Sequence, residues 1–279
     1  MIMVVSSEVI VEKTDQVQLS IILPVYNQEG KITNSLSVIK ECIKSTLQSY
    51  ELVVVNDGSL DNTLSYLTKE KESDPNLRVI SYTQNKGKGH AVKIGITQSR
   101  GSKVIFMDGD LGVSPAAIKD CLADLKNWDL VIGSKRHPAS RVISPFSRKF
   151  LSRAFNFYVR VMTGTKIKDT QSGFKAGDGT ILRWIFNAIH DSRYAFDVEL
   201  LAIANLMRLR IKELPVEVNI DRRFRIYEIF KMFFDVLSIS YRYRIRKYYP
   251  TESKSIQNFL TSPCSYIEIK DNDHSVYRQ

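Results

Sequence analysis

The chain has 279 residues, 43% hydrophobic and 10% aromatic, enough for one large α/β domain or two small ones, and it carries no internal repeat or low-complexity tract. Its net charge of +10 points to a polyanionic partner, whether nucleic acid, acidic membrane or phosphorylated substrate. The three cysteines (Cys42, Cys121, Cys264) and four histidines (His90, His137, His190, His274) show neither paired nor ligand spacing, which argues for reduced thiols and against a disulfide frame or zinc site.

Met1 to Val5 lacks the basic flank of a signal peptide, and Glu8 and Glu12 follow at once. Leu19 to Leu23 reads as a strand ended by Pro24. Lys31 to Leu47 reads as a helix with Ile32, Leu36, Ile39 and Ile43 on one face. A strand at Glu51 to Asn56, a helix at Asp61 to Lys71, a strand at Leu77 to Tyr82 and a helix at Lys88 to Gln98 follow. Then come a strand at Lys103 to Met107, a helix at Pro115 to Lys126 and a strand at Asp129 to Gly133. This alternation, with continuous apolar strands, predicts an α/β, Rossmann-like, mostly parallel sheet covered on both faces. Ligands bind such sheets beyond the carboxyl ends of the strands. Residues 24–29, 56–61, 85–90, 108–110 and 134–136 all fall there and predict one shared site.

The second half changes character. Ser144 to Thr163 is a basic, aromatic helical pattern, and Lys168 to Ala176 reads as a polar loop. A helix near Asp197 to Met207 and an alternating strand at Ile211 to Asn219 come next. From Ile226, apolar residues recur at three- and four-residue steps until YRYRIRKYY stops at Pro250. From Thr251 on, the sequence reads as a mobile polar tail. No stretch reaches the roughly 18 apolar residues of a membrane span, so a membrane role would be played at the surface.

Asp108-Gly109-Asp110 sets two carboxylates at the end of an apolar strand. A hard divalent cation relieves their repulsion and also bridges phosphate oxygens; a solvated helix-capping loop is the plainer alternative. Asp57, in Asn56-Asp57-Gly58-Ser59, reads as an acceptor for a nucleobase N–H or as a turn residue, and Asp61 as a helix cap. Asn85-Lys86-Gly87-Lys88-Gly89-His90 opens a helix. Its free N–H groups favour an anion, and its glycines serve a turn equally well. Lys86 or Lys88 could stand near a phosphate. Arg136, Arg141, Arg148, Lys149 and Arg153 form a basic cluster that is either solvated or ready for a phosphorylated acceptor. Phe196-Asp197-Val198-Glu199 reads as an N-capped helix start, or as one with Glu199 facing the site.

Taken in order, PVYNQE, VVNDGS, NKGKGHA, MDGDLG, GSKR, DTQSGFK and AFDVELL resemble glycosyltransferase family 2, with its GT-A fold. Within it, DTQSGFK, FDVELL and ELPVEVN are most similar to the dolichyl-phosphate β-glucosyltransferases and their prokaryotic polyprenyl-phosphate relatives. The resemblance covers roughly Ser20 to Tyr243. It implies that Pro24, Tyr26, Glu29 and Asp57 hold the base and ribose of a nucleotide-sugar, with Lys86, Gly87 and Gly109 beside them. It implies Mg2+ or Mn2+ on Asp108 and Asp110, and phosphates near Lys135 or Arg136 and Arg148. Asp169, Gln171, Ser172 and Gly173 would line the sugar and acceptor pocket. Two departures stand out: Gln28 occupies the family's usual acidic position after Tyr-Asn, and Arg222-Arg223-Phe224-Arg225 replaces a basic G-x-S-K segment.

Physical logic agrees. A leaving diphosphate needs its charge neutralised. A lipid phosphate is already an anionic nucleophile, so no histidine base is needed. From Arg222 to Pro250, eight Lys/Arg face only Glu228 and Asp235, which is +6 of the chain's +10. That suits an interfacial helix on anionic lipid, and also one packed on its own domain or on a second subunit of a homo-oligomer. No nucleic-acid module accompanies it.

The expectation is therefore an inverting, metal-dependent enzyme that moves a hexose, glucose from UDP-glucose by preference, to dolichyl or polyprenyl phosphate. It would lie peripherally on the cytoplasmic face of a membrane. The parts would be an extension (1–18), a GT-A domain (19–222), an amphipathic helix (223–250) and the polar tail (251–279). The same fold using GDP-mannose or a non-lipid acceptor is the first alternative. A processive synthase is disfavoured by the missing Q-x-x-R-W, and a membrane- or RNA-binding module by the intact Asp57, Asp108 and Asp110.

Overall fold

Strands too apolar to face water on either side must be covered by helices on both, and this fixes the layers of the molecule. The computed structural model describes residues 17–44, 49–143, 146–190, 193, 195–219, 226–246 and 249. The extension up to residue 16, the segment 220–225 and the tail from 250 on lie outside the described residues. The strands are β1 (Leu19–Val25), β2 (Tyr50–Asp57), β3 (Leu77–Tyr82), β4 (Lys103–Met107), β5 (Leu130–Ser134), β6 (Arg141–Ile143), β7 (Phe174–Asp178), β8 (Ile211–Pro215) and β9 (Glu217–Asn219). The helices are α1 (Ile32–Lys44), α2 (Thr63–Ser73), α3 (Lys88–Thr97), α4 (Ala117–Asp124), α5 (Phe146–Thr163), α6 (Gly179–Ala188), α7 (Phe196–Leu206) and α8 (Ile226–Arg244).

The main sheet runs β3-β2-β1-β4-β7-β5-β8, and β6 pairs with β9 beside it. Every pairing in the main sheet is parallel except those of β7, which is antiparallel to β4 and β5. Side chains alternate across β1. Leu19, Ile21 and Leu23 pack with Leu36 and Ile39 of α1 and Ile118 of α4. Ile22 faces the other way, toward Val92 and Ile96 of α3 and Phe186 of α6. A smaller cluster joins Val159 of α5, Val198 of α7, and Val236 and Ile239 of α8.

Three expectations are corrected. β1 continues past Pro24. Its pairing with β4 ends at Ile22 opposite Phe106, so the missing proline N–H falls where β1 has β2 as its one neighbour. The alternating run Ile211 to Asn219 is two strands: β8 follows β5 to its end at Ser134, and the chain then crosses to pair with β6. The end of the polar loop at 168–176 is in fact the start of β7, which with α6 had no counterpart in the sequence reading.

β7 does not read as a strand because Phe174-Lys175-Ala176-Gly177-Asp178 breaks the apolar rule at Lys175. The structure supplies the reason. Lys175 is 1% exposed, and its Nζ donates to Asp197 Oδ1 at 2.5 Å and to the Ser172 carbonyl at 2.6 Å. A Cβ at Gly177 would crowd the Leu130 side chain and the Asp129 carbonyl. Asp178 then caps α6, accepting from the N–H groups of Thr180 and Ile181. Burial pushes the Lys175 ammonium down and the Asp197 carboxyl up, and their mutual attraction only partly offsets it.

Breaking such a pair leaves one charge buried without its partner. Lys175→Met should lower unfolding stability in a urea titration by about 3 kcal/mol. Lys175→Met combined with Asp197→Leu should recover most of that loss; equal losses in the two variants would count against the pair as the staple between β7 and α7.

Candidate active site

The loops at the carboxyl ends of the parallel strands touch one another. Residues 26–29 and 59–63 are laced together: Asn27 N–H donates to Ser59 Oγ (3.0 Å), Leu60 N–H to Asn27 Oδ1 (2.8 Å) and Glu29 N–H to Asp61 Oδ2 (3.0 Å). Glu29 returns two acceptors to Asn62, one to its N–H and one to its side-chain amide. Asp61 also accepts from the N–H and hydroxyl of Thr63, so it caps α2 from two residues before the helix begins. Asn27 reaches this geometry at φ +49°, a strained value for a residue with a side chain. Tyr26 stands half-exposed at the rim, and Pro24 is buried in β1.

Asp57 is also buried. Its carboxylate accepts from the Tyr82 hydroxyl (2.8 Å), the Asn85 side-chain amide (3.0 Å), the Lys86 N–H (2.8 Å) and the Gly87 N–H (3.0 Å). It therefore fastens the 85–87 loop to the end of β2, and burial beside it holds the Tyr82 phenol protonated. Gly87 stands at φ +99°, where a side chain would be strained, and α3 begins immediately after it.

The Asp108-Gly109-Asp110 turn sits between that loop and residues 169–173. Asp108 donates its N–H to the Gly173 carbonyl at 3.1 Å, and a Cβ on Gly173 would overlap the Asp108 carboxylate. Asp108 Oδ1 lies 2.5 Å from Lys88 Nζ. Asp110 Oδ1 accepts from Gly112 N–H at 3.2 Å, and Leu111 between them is strained at φ +54°. Burial alone would lower the Lys88 ammonium, but Asp108, Asp197 and Asp110 outweigh it and hold the group above its ordinary value. Gln28, in the usual acidic position, is buried with its Oε1 lacking a partner among the described residues, close to Gly109.

Across the turn, Asp169 is buried and accepts from Lys135 N–H at 2.8 Å, with Lys135 Nζ 3.7 Å away. Lys135 Nζ also reaches the Gln171 carbonyl at 3.3 Å. Arg136 donates through Nη2 to the carbonyl and hydroxyl of Ser152 in α5. Burial lowers Arg136, Asp169 opposes that, and Arg153 adds to it. Gln171 Nε2 faces Met232 Sδ of α8 at 4.0 Å. The Ser172 hydroxyl is buried with no partner among the described residues. Arg148 stands in the first turn of α5, and its side chain lies outside the described residues.

Sequence reasoning left Lys175 and Asp197 out of the site, and of the two acids in α7 it offered Glu199 as the one that could face it. Asp197 faces Lys175 and Lys88. Glu199 points away, accepting from Arg242 Nη2 (3.2 Å), the Tyr249 hydroxyl and the His190 N–H. Ala195 precedes α7 without a side-chain cap. A signal was present: two acids on a wholly apolar helix, two residues apart, lie about 200° apart around the axis and cannot share a partner.

Among the described residues no three His, Cys, Asp or Glu side chains gather into a complete metal-ligand set. The partly exposed carboxylates of Asp108 and Asp110 still fit a hard cation, because Mg2+ commonly takes one or two carboxylates and completes its shell with substrate phosphates and water.

The family model "Glycosyl transferase family 2" matches residues 20–186. The dolichyl-phosphate beta-glucosyltransferase of Drosophila melanogaster is 33% identical over 74% of this chain and 68% of its own length. The protein of that name from Homo sapiens is 33% identical over 81% of this chain and 76% of its own. Among solved structures, glucosyl-3-phosphoglycerate synthase from Mycobacterium tuberculosis in complex with Mn2+, UDP and glucosyl-3-phosphoglycerate superposes with a TM-score of 0.58 at 21% identity. That match covers 80% of this chain and 78% of the other, which establishes a common fold. With its mostly parallel sheet and its Asp-Gly-Asp turn at the end of β4, this chain belongs to glycosyltransferase family 2.

Proposed function

We propose that this protein transfers glucose from UDP-glucose to dolichyl or another polyprenyl phosphate, with inversion, at the cytoplasmic face of a membrane. The observation that carries this reading is a shared wall. Gly173 joins the Asp108-Gly109-Asp110 turn to the 169–173 loop, so a carboxylate pair fit for a cation stands beside a loop that Lys135 contacts and whose Asp169 acts on Arg136. The relatives named dolichyl-phosphate beta-glucosyltransferase support the choice of acceptor and sugar.

In this reading the laced 26–29 and 59–63 loops form the floor for the base and ribose under Tyr26, and Asp57 keeps the 85–87 loop at the height of the diphosphate. A Mg2+ or Mn2+ held by Asp108 and Asp110 would neutralise charge developing on the leaving diphosphate. Lys135 and Arg136 attract and orient the acceptor phosphate, whose oxygen is already anionic and needs positioning more than proton removal. Ser172 offers its unengaged hydroxyl on the same wall.

The lipid end has a matching surface. Among the described residues no helix is long and apolar enough to cross a membrane. α8 turns Met232, Val236 and Ile239 inward and leaves an outer arc carrying Phe233, Phe234 (65% exposed), Tyr241 and, just past its end, Ile245 (69%). Phe157 and Val161 of α5 are exposed too, and Arg244 binds the Val161 carbonyl at 2.7 Å, joining the two helices. Apolar side chains ringed by Arg and Tyr suit the headgroup region of anionic lipid.

Three outcomes are expected. Purified protein given dolichyl phosphate with UDP-glucose or GDP-mannose should yield a lipid-linked hexose by mass spectrometry, preferentially from UDP-glucose. Asp110→Asn should cut that yield about 100-fold or more with unchanged circular dichroism; wild-type turnover in this variant would refute the role given to the carboxylates. The double variant Phe234→Ser/Ile245→Ser should lose about tenfold or more in co-sedimentation with phosphatidylserine vesicles, since each side chain gives up about 1.5–3 kcal/mol of burial. Unchanged sedimentation would remove the membrane surface from α8.

A further inference from the structure

Lys88 is the first residue of α3, yet its ammonium lies at the end of β4, 2.5 Å from Asp108 Oδ1. Its side chain is 24% exposed, so solvent reaches the group while protein surrounds most of it. Asp197 and Asp110 attract it, and Lys175, paired with Asp197 at 2.5 Å, repels it. We propose that Lys88 is a built-in competitor for the divalent cation at Asp108: it neutralises that carboxylate while the donor site is empty, and it turns to the donor diphosphate when cation and nucleotide-sugar arrive together. This rests on the reading of Asp108 and Asp110 as cation ligands.

The electrostatics run in one direction. A divalent cation on Asp108 brings two positive charges to a group already paired with an ammonium. Lys88 must then withdraw, and Lys175 stands close enough to oppose its settling on Asp197. Without an anion, the displaced ammonium has no better partner, so the cation alone binds against a penalty. A diphosphate removes the penalty. It offers Lys88 acceptor oxygens, and a lysine on a flexible four-carbon stem reorients easily as a point charge. The diphosphate would also meet the N-terminus of α3, which favours negative charge from the helix side. Cation and nucleotide therefore load cooperatively, and the coupling is reciprocal: each strengthens the other by the same factor. The effect is to keep a divalent cation from settling firmly in a site that has no sugar donor.

The test is Mn2+ binding to the full chain, followed by the electron paramagnetic resonance signal of free Mn2+, with and without UDP. Lys88→Met should bind Mn2+ alone about tenfold more tightly than wild type, within the usual range for coupled sites. The same variant should bind UDP in the presence of Mn2+ about tenfold more weakly. Lys88→Arg keeps the charge and should restore the weak binding of Mn2+ alone. Lys88→Gln should behave as Lys88→Met does and stands in for it if that variant does not fold. If removing the charge leaves Mn2+ affinity unchanged or lowers it while Asp110→Asn abolishes binding, Lys88 is no competitor and the cation site itself stands. If wild type binds no Mn2+ even with UDP, or Asp110→Asn binds it as wild type does, the cation site falls and takes this inference with it.

Discussion

The buried ammonium–carboxylate pair of Lys175 and Asp197 is the interaction on which the rest of the site depends. β7 separates the strands on the β1–β4 side of the sheet from β5 and β8, and it is the one strand that runs against its neighbours. Without it, β4 and β5 would have no common partner. Lys175 pins β7 to the first turn of α7, and through the Ser172 carbonyl it also sets the loop that carries Gly173 against Asp108. A charge pair in this position is a weak source of net stability, since desolvation offsets most of the attraction. Its contribution is to specify one arrangement, because any shift of α7 or β7 strands a charge in the interior.

The same pair shapes the field at the mouth. Asp108, Asp110 and Asp197 gather on one side of the Asp-Gly-Asp turn, with Lys88 and Lys175 among them. Asp169 stands on the other side with Lys135 and Arg136. Within the protein, charges of both signs stay in rough balance. In the proposed reading, the partly exposed Asp108 and Arg136 would accept a cation and a phosphate without first burying a charge.

Much of the fold was legible because it follows from burial. The runs in β1 to β5 are apolar through their centres, the helices between them carry an apolar face, and strand ends one to five converge as the parallel arrangement requires. The turn at Asp108–Asp110 was legible for a related reason: carboxylates directly after a buried strand need either solvent or a cation. What stayed hidden depends on partners far away in the chain. Lys175 looks like a loop residue until Asp197 is known to meet it, 22 residues on. Nothing near Asp57 in sequence announces that Tyr82, Asn85 and the N–H groups of Lys86 and Gly87 converge on it. Pairwise satisfaction of polar groups has no local period, so neither hydrophobic pattern nor spacing reports it.

α7 shows how one element serves both ends of the proposed reaction. It is apolar and buried along nearly its whole length, and its two acids point to opposite sides. Asp197 holds the cations behind the Asp-Gly-Asp turn. Glu199, also buried, engages Arg242 near the end of α8 and Tyr249 beyond it. α8 is thus fixed from inside by a charged lock as well as by Val236 and Ile239, which frees its outer arc to remain apolar without loosening the fold. Met232, on the inner arc, meets Gln171 on the acceptor wall. In the proposed reading, α8 links the apolar arc offered to lipid with the wall offered to the acceptor phosphate, and that link, more than any one contact, would suit the site to an acceptor too apolar to leave the bilayer.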